Sequence, residues 1–367
     1  MIIATGVRAS EPTVFMNDIL SIDHDVTLLH SHTLKHHSYN PRHSIKSTFF
    51  DEHVRDRAEY IPIHFSRLPK YFEHQPIDVA AFQVAYSPDR GYSFGTNPDY
   101  NYYFSPHAKE VWLEVNVQMP WTSGPPLSLT RVTRKVEIDT PLIECVKTIS
   151  AAEKAIYNQI NEHVGTFISD GCTLQVGVGK LQTTFQTSAR VEVYSEMIGD
   201  WAMRLNAERI VGAFALGSNA FYQWLNSNVK VEMVPLGEIC HPSSFAQISN
   251  LVSINSAYEV DLTGQVASEG IAYEHHTGTG GSNDFTAGAS YAKKGVSIIA
   301  LPSITKTGAS RIVSRLHNVV TISQADVDYI VTEYGIAEMR FRTLGERVKA
   351  LISIAHPMHR QELRHSL

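Results

Sequence analysis

With 367 residues, 43% of them hydrophobic and 19% charged, the chain is long enough for about two ordinary domains and far from the composition of a disordered protein. Its net charge of −6 comes from 31 basic and 37 acidic residues with neither sign gathered into blocks, so no basic stripe points to nucleic acid. No stretch approaches the roughly 18 apolar residues of a membrane span. The start Met1-Ile2-Ile3-Ala4-Thr5-Gly6 lacks a secretory pattern, and the three widely spaced cysteines, Cys145, Cys172 and Cys240, suit a reducing compartment. A soluble cytoplasmic protein is expected, with no nucleic-acid or membrane partner.

In chain order, Val26-Thr27-Leu28-Leu29, Val79–Val84 and Val111–Val115 read as buried strands, with a turn signal at Ser87-Pro88-Asp89-Arg90-Gly91. A Pro- and Gly-containing stretch from Pro120 to Pro126 then leads into a polar, extended segment that ends at Pro141. From Ser150 the pattern changes. Ser150 and Glu153 have the spacing of a capping box for a helix reaching about Val164. Beyond it strands are expected at Cys172–Val178, Ala189–Ser195, Ile210–Phe214, Val229–Pro235, Val296–Leu301 and Val327–Val331. Helices are expected near Asn219–Asn226 and Thr343–Ile354. This alternation predicts an α/β layered fold with at least one partly parallel sheet, divided near residues 142–149 into domains 1–145 and 146–367.

Several residues have the types that chemistry needs. Glu196, in Tyr194-Ser195-Glu196-Met197, closes a β-branched strand, and the carboxyl ends of strands are where open α/β sheets place ligands. Position alone does not separate that role from an ordinary loop or helix-start carboxylate. Two glycine-rich turns, Gly177-Val178-Gly179-Lys180 and Thr277-Gly278-Thr279-Gly280-Gly281-Ser282, have backbone able to approach an anion closely. Neither is a dinucleotide fingerprint, and Lys180 is followed by Leu181, so there is no P-loop. Among 18 histidines, His30, His32, His36 and His37 lie close together, but without an HExxH or paired-cysteine motif they read as structural or surface residues and no metal is expected. The absence of a Gly-x-Ser-x-Gly elbow weakens a serine-hydrolase reading.

The motifs also occur in a familiar order. Ser195-Glu196-Met197, Phe214-Ala215-Leu216-Gly217-Ser218, Val252-Ser253-Ile254-Asn255-Ser256-Ala257 and Val260–Val266 are followed by Gly278-Thr279-Gly280-Gly281 with Asp284-Phe285. Next come Ile299–Ser303, Ser310–Val313, Val331–Ala337 and Leu351–Pro357, with weaker echoes at Ser10-Glu11-Pro12, Gly91–Gly95 and Glu114–Pro120. Together these resemble the acetyl-CoA hydrolase / 4-hydroxybutyrate CoA-transferase family over nearly the whole chain. The resemblance implies two open α/β domains of CoA-transferase type with the active site between them, a homo-oligomer, and coenzyme A, as acyl-CoA, for a substrate. It further implies that Glu196 is the nucleophile. Gly177, Val178, Gly179, Lys180, Asn255, Gly278, Gly280 and Gly281 would then receive an oxyanion or hold CoA. Lys306, in a Ser-x-x-Lys pattern, is a candidate for CoA contact or a solvated loop lysine.

The implied reaction is CoA transfer between small carboxylic acids through a glutamyl-CoA thioester. Two departures bear on the acyl acceptor: Tyr194 stands where the family commonly has His, and Lys180-Leu181-Gln182 replaces small apolar residues. A CoA-thioester hydrolase, an acyltransferase using an alcohol or amine, and a CoA-binding protein without turnover are the alternatives.

Overall fold

Short apolar runs of the N-terminal part pair into a sheet because each is hydrophobic on both faces, as central parallel strands must be. The computed structural model describes residues 1–49, 51–271 and 274–366. Its contacts group into two units: Met1–Val146 with Glu196–Met203 and Arg209–Ile239, and Lys147–Ser195 with Arg204–Glu208 and Cys240–Leu367.

In the first unit the strand order is Ala58–Tyr60, His43–Ser47, Val26–Leu29, Ile2–Thr5, Val79–Ser87, Glu110–Asn116, Val132–Ile138. Every neighbouring pair is parallel, and only Gly91–Ser93 folds back antiparallel onto Val79–Ser87. The first seven residues of Val79–Ser87 are buried, whereas Val132–Ile138 is partly or fully exposed throughout and carries Arg134, Lys135 and Glu137. Charge on an exposed edge discourages further strand pairing, and it explains why that segment reads as polar in the sequence. One face of the sheet packs Ile3, Val26, Leu28 and Ile45 against Phe15, Met16 and Ile19 of the helix Val14–Leu20.

In the second unit Arg190–Ser195 pairs with Thr173–Val176. Then follow Leu251–Asn255, Val296–Ala300 and Tyr329–Thr332, all parallel, and Gly335–Glu338 closes the series antiparallel. The helix Ala151–Gly165 begins with the capping box: Ser150 accepts from the Glu153 N–H while the Glu153 side chain accepts from Ser150. Thr343 and Glu346 start Leu344–Ile354 in the same way, and that helix buries Leu351, Ile352 and Ile354 in a core with Val260, Ile299 and Ile330.

The fold is the mixed α/β architecture with parallel sheets that the sequence predicts. Among the described residues no helix is long and apolar enough to cross a membrane. The strand expected to end at Ser195 runs on to Ile198. The extension is held because the Ile198 carbonyl accepts the Leu216 N–H at 3.0 Å.

Candidate active site

The strand Arg190–Ile198 alternates exposed and buried positions up to Val193; from Ser195 to Ile198 every residue is buried. Glu196 is therefore carried into an enclosed environment near the strand's carboxyl end, with 7% of its surface exposed. A carboxylate held there keeps little contact with water.

In the first unit the charge of Glu196 is felt at Tyr100. Burial pushes the Tyr100 phenol up; Arg8 and the Thr48 hydrogen bond pull it down, and Asp99 and Glu196 push it up again. Tyr100 Oη lies 2.8 Å from Thr48 Oγ1. The Arg8 guanidinium donates to Asp99, both side chains being buried, and sits 3.6 Å from the centroid of the Phe214 ring. Arg8 reaches this position with φ of +51°, a backbone conformation disfavoured for a non-glycine residue.

The Phe214-Ala215-Leu216-Gly217-Ser218 motif fixes the turn that follows the adjacent strand. Asp200 Oδ2 accepts the Ser218 N–H at 2.9 Å, and Ser218 in turn caps the helix Asn219–Leu225 through Phe221 N–H. Only glycine fits at 217, because a Cβ there would lie 2.4 Å from Asp200 Oδ2 and 2.8 Å from Phe221 Cδ1.

In the second unit the turn Gly177–Lys180 leaves the strand Thr173–Val176. The Gly177 N–H donates to the Ile254 carbonyl at 2.8 Å, and a Cβ at this position would meet Asn255 Oδ1 at 2.6 Å. Asn255 is buried, and its amide is reciprocally paired with Gln175, with Nδ2 also reaching Ser253 Oγ at 3.1 Å. Its polar groups are thus engaged in holding the turn's floor. Lys180 and Lys306, far apart in sequence, come together: Lys180 Nζ donates to Glu153 Oε1 at 2.7 Å, and Lys306 Nζ lies 3.5 Å from the same oxygen. The Lys306 loop is anchored by Glu333, which accepts from Ser303 N–H at 2.9 Å and Ser303 Oγ at 2.6 Å.

The turn Gly278–Gly281 is buried and leads into the helix Ser282–Tyr291, whose Phe285 packs edge-on to Phe245. Tyr194, two residues before Glu196 on the same strand, places its ring against both of these aromatics, with centroids 6.2 and 6.3 Å away.

Sequence reasoning missed Glu153 as an anchor for two lysines, since an acidic residue in a helix's first turn is already explained by capping. It also missed the Arg8–Asp99 pair, because two charges 91 positions apart carry no local signal that they meet.

Comparison with known proteins agrees with the motif order. Residues 217–367 match the acetyl-CoA hydrolase/transferase C-terminal domain. The 4-hydroxybutyrate coenzyme A transferase of Clostridium kluyveri is 37% identical over 332 residues, covering 84% of this chain and 76% of that protein. The chain belongs to the acetyl-CoA hydrolase/transferase family. Another relative, the succinyl-CoA:cyclohexane-1-carboxylate CoA transferase of Geobacter metallireducens, is 30% identical and covers 97% of the chain and 89% of its own length. The crystal structure of RipA from Yersinia pestis superposes with a TM-score of 0.91 at 26% identity, covering 100% of this chain and 93% of that one. Asn255, Gly278–Gly281 and Lys306 lie within the stretch that matches the family's C-terminal domain, whereas Glu196 and the Gly177–Lys180 turn precede it.

Proposed function

We propose that the chain is an acyl-CoA:carboxylate CoA-transferase that moves CoA between small carboxylic acids through a thioester on Glu196. The observation that carries this reading is a carboxylate only 7% exposed near the carboxyl end of a parallel strand, in a Ser-Glu-Met motif. Membership of a family whose relatives are named CoA transferases supports the reaction class.

Glu196 would attack the thioester carbonyl of an acyl-CoA, expelling the CoA thiolate and forming an acyl-glutamyl anhydride. The thiolate then attacks the glutamyl carbonyl of that anhydride, which releases the first acid and leaves CoA on Glu196. A second carboxylate attacks this thioester, and the thiolate it expels takes the acyl half of the new anhydride. New acyl-CoA leaves and Glu196 is restored. No proton, oxidant or water is consumed, so exclusion of water is what separates transfer from hydrolysis. A carboxylate is a weak nucleophile, and alignment together with covalent division of the reaction must supply much of the rate.

Backbone amides of Val178–Lys180 and Gly278–Gly281 are assigned to the oxyanion or to CoA; the Gly177 N–H, already donated to the Ile254 carbonyl, is not among them. Lys180 and Lys306 are assigned to the phosphates of CoA, for which ammonium groups act as point charges. Asn255 supports the Gly177 turn. Incubation with a panel of acyl-CoAs in the absence of acceptor, followed by peptide mass spectrometry, tests the reading. CoA on Glu196 is the expected adduct; an unmodified Glu196 while acyl-CoA is consumed would overturn it.

A further inference from the structure

Within the first unit, apart from the residues assigned to CoA transfer, Glu11, His30 and His37 converge so that one ligating atom of each lies within 4.8 Å of the others. Glu11 follows the turn Arg8–Ser10, and His30 directly follows the strand Val26–Leu29. Glu11 and His30 are 2% and 0% exposed, and the His37 side chain is 12% exposed. Glu11 Oε1 is 2.6 Å from His37 Nε2, and Glu11 Oε2 is 4.0 Å from His30 Nε2. Neither Glu11 Oε2 nor His30 Nε2 has a hydrogen-bond partner among the described residues. Two buried polar atoms facing each other without a bond form a costly arrangement.

The other nitrogen of His30 explains what the pair is set up to hold. His30 Nδ1 is 2.6 Å from Thr5 Oγ1. In the tautomer in which Nδ1–H donates to that hydroxyl, Nε2 presents its lone pair on the carboxylate side, as ligation of an ion requires. Imidazole binds metals in its neutral form. Thr5 then has the position of the outer partner that orients a metal-ligating histidine. The Tyr39 ring is set edge-on to both histidine rings, 5.9 Å from His30 and 5.7 Å from His37, and walls this side of the cluster.

We propose that Glu11, His30 and His37 form a binding site for a divalent transition-metal ion, with zinc the best match to two imidazoles and one carboxylate. Tetrahedral coordination with bonds of about 2.0–2.1 Å puts ligand atoms about 3.4 Å apart. The 4.0 Å gap would therefore close by a small inward shift. His37 would release its hydrogen bond to Glu11 and, if Nε2 carries the proton, lose that proton on binding. The ion would tie the turn after the first strand to the loop after Val26–Leu29.

The test uses the full chain stripped with chelator, titrated with Zn2+ by calorimetry and with Co2+ by visible absorption, alongside a thermal melt. Wild type is expected to bind one ion per chain, to give the intense d–d bands of a four-coordinate cobalt site, and to melt at a higher temperature with the ion. His37→Ala removes a partly exposed loop ligand. It should weaken binding by at least about tenfold and abolish the cobalt bands while its metal-free melting stays close to that of wild type. Glu11→Gln should do the same. His53→Ala is the control, because His36 and His53 form an exposed pair with ring nitrogens 3.1 Å apart. No saturable ion in the wild type, or binding and bands lost in His53→Ala but kept in His37→Ala, would overturn the assignment.

Discussion

Lys180 and Glu153 are joined by a 2.7 Å hydrogen bond from ammonium to carboxylate, and the second oxygen of Glu153 accepts the N–H of Ser150 at the start of the same helix. One side chain thus caps a helix and fixes the lysine at the end of a glycine turn. Lys306 arrives at the same carboxylate from a separate loop. If these lysines meet CoA phosphates, Lys180→Ala should raise KM for the acyl-CoA several-fold with a smaller change in kcat. The double variant Lys180→Ala/Lys306→Ala should raise it further. Steady-state kinetics at two ionic strengths check this, since loss of a charge contact also flattens the salt dependence.

The same bond has a pH signature. The hydrogen bond from Lys180, followed by that from the Ser150 backbone, holds Glu153 down to about 2, from an ordinary 4.5. A carboxyl whose folded pKa lies below its unfolded value contributes stability that is complete above the unfolded pKa. That contribution disappears as pH falls from about 4.5 toward about 2. Urea midpoints of wild type and Lys180→Ala, measured across that window, should converge as acidity rises. A constant offset between the two would count against the pair.

Glu196→Gln removes the carboxylate proposed as the nucleophile while keeping the side chain's shape. We expect transfer activity to fall by at least about a thousandfold with the fold retained, consistent with losing a residue that forms bonds in the reaction. Residual activity close to wild type would exclude every mechanism with a glutamyl intermediate.

Gly217→Ala should lower stability by about 1–3 kcal/mol, the usual range for forcing an added carbon into a packed site. The new methyl would overlap the Asp200 carboxylate and the Phe221 ring. Because Asp200 also holds Ser218, activity should fall along with the melting temperature.

Arg8→Met leaves the Asp99 carboxylate buried without its cation and should cost about 3–5 kcal/mol. The double variant Arg8→Met/Asp99→Leu should cost clearly less than the two single changes added together. Denaturant unfolding of all four proteins gives the coupling.

Much of the α/β layering is legible in the sequence because buried parallel strands are short unbroken apolar runs: the strands expected at Val79–Val84 and Val296–Leu301 begin where the sequence places them, the first running on to Ser87. Both capping-box helices start where Ser150 and Thr343 place them. Val132–Ile138 is harder to read, since an edge strand with exposed charges lacks the apolar alternation that marks most strands. The overrun of Arg190–Ile198 past Ser195 depends on a partner that comes later in the chain, which no local pattern reveals. The candidate site is legible in part. Glu196 and the glycine turns stand out through motif order. The meeting of Lys180 with Lys306, and of Glu11 with His30 and His37, depends on topology and has no signal in spacing.

The route of the backbone has a practical corollary for anyone wishing to dissect this protein. The chain passes between the two units after Val146, Ser195, Met203, Glu208 and Ile239, so no single cut separates them. A fragment ending at Val146 would lack the buried strand segment Ile210–Ala215, whose Phe214 ring lies under Arg8. The complementary fragment would carry Glu196 without Tyr100, Thr48 or the Arg8–Asp99 pair. Halves expressed separately should therefore be sticky and inactive, and insertions or permuted termini should be tried within the exposed run Ser128–Arg131 rather than at the apparent midpoint.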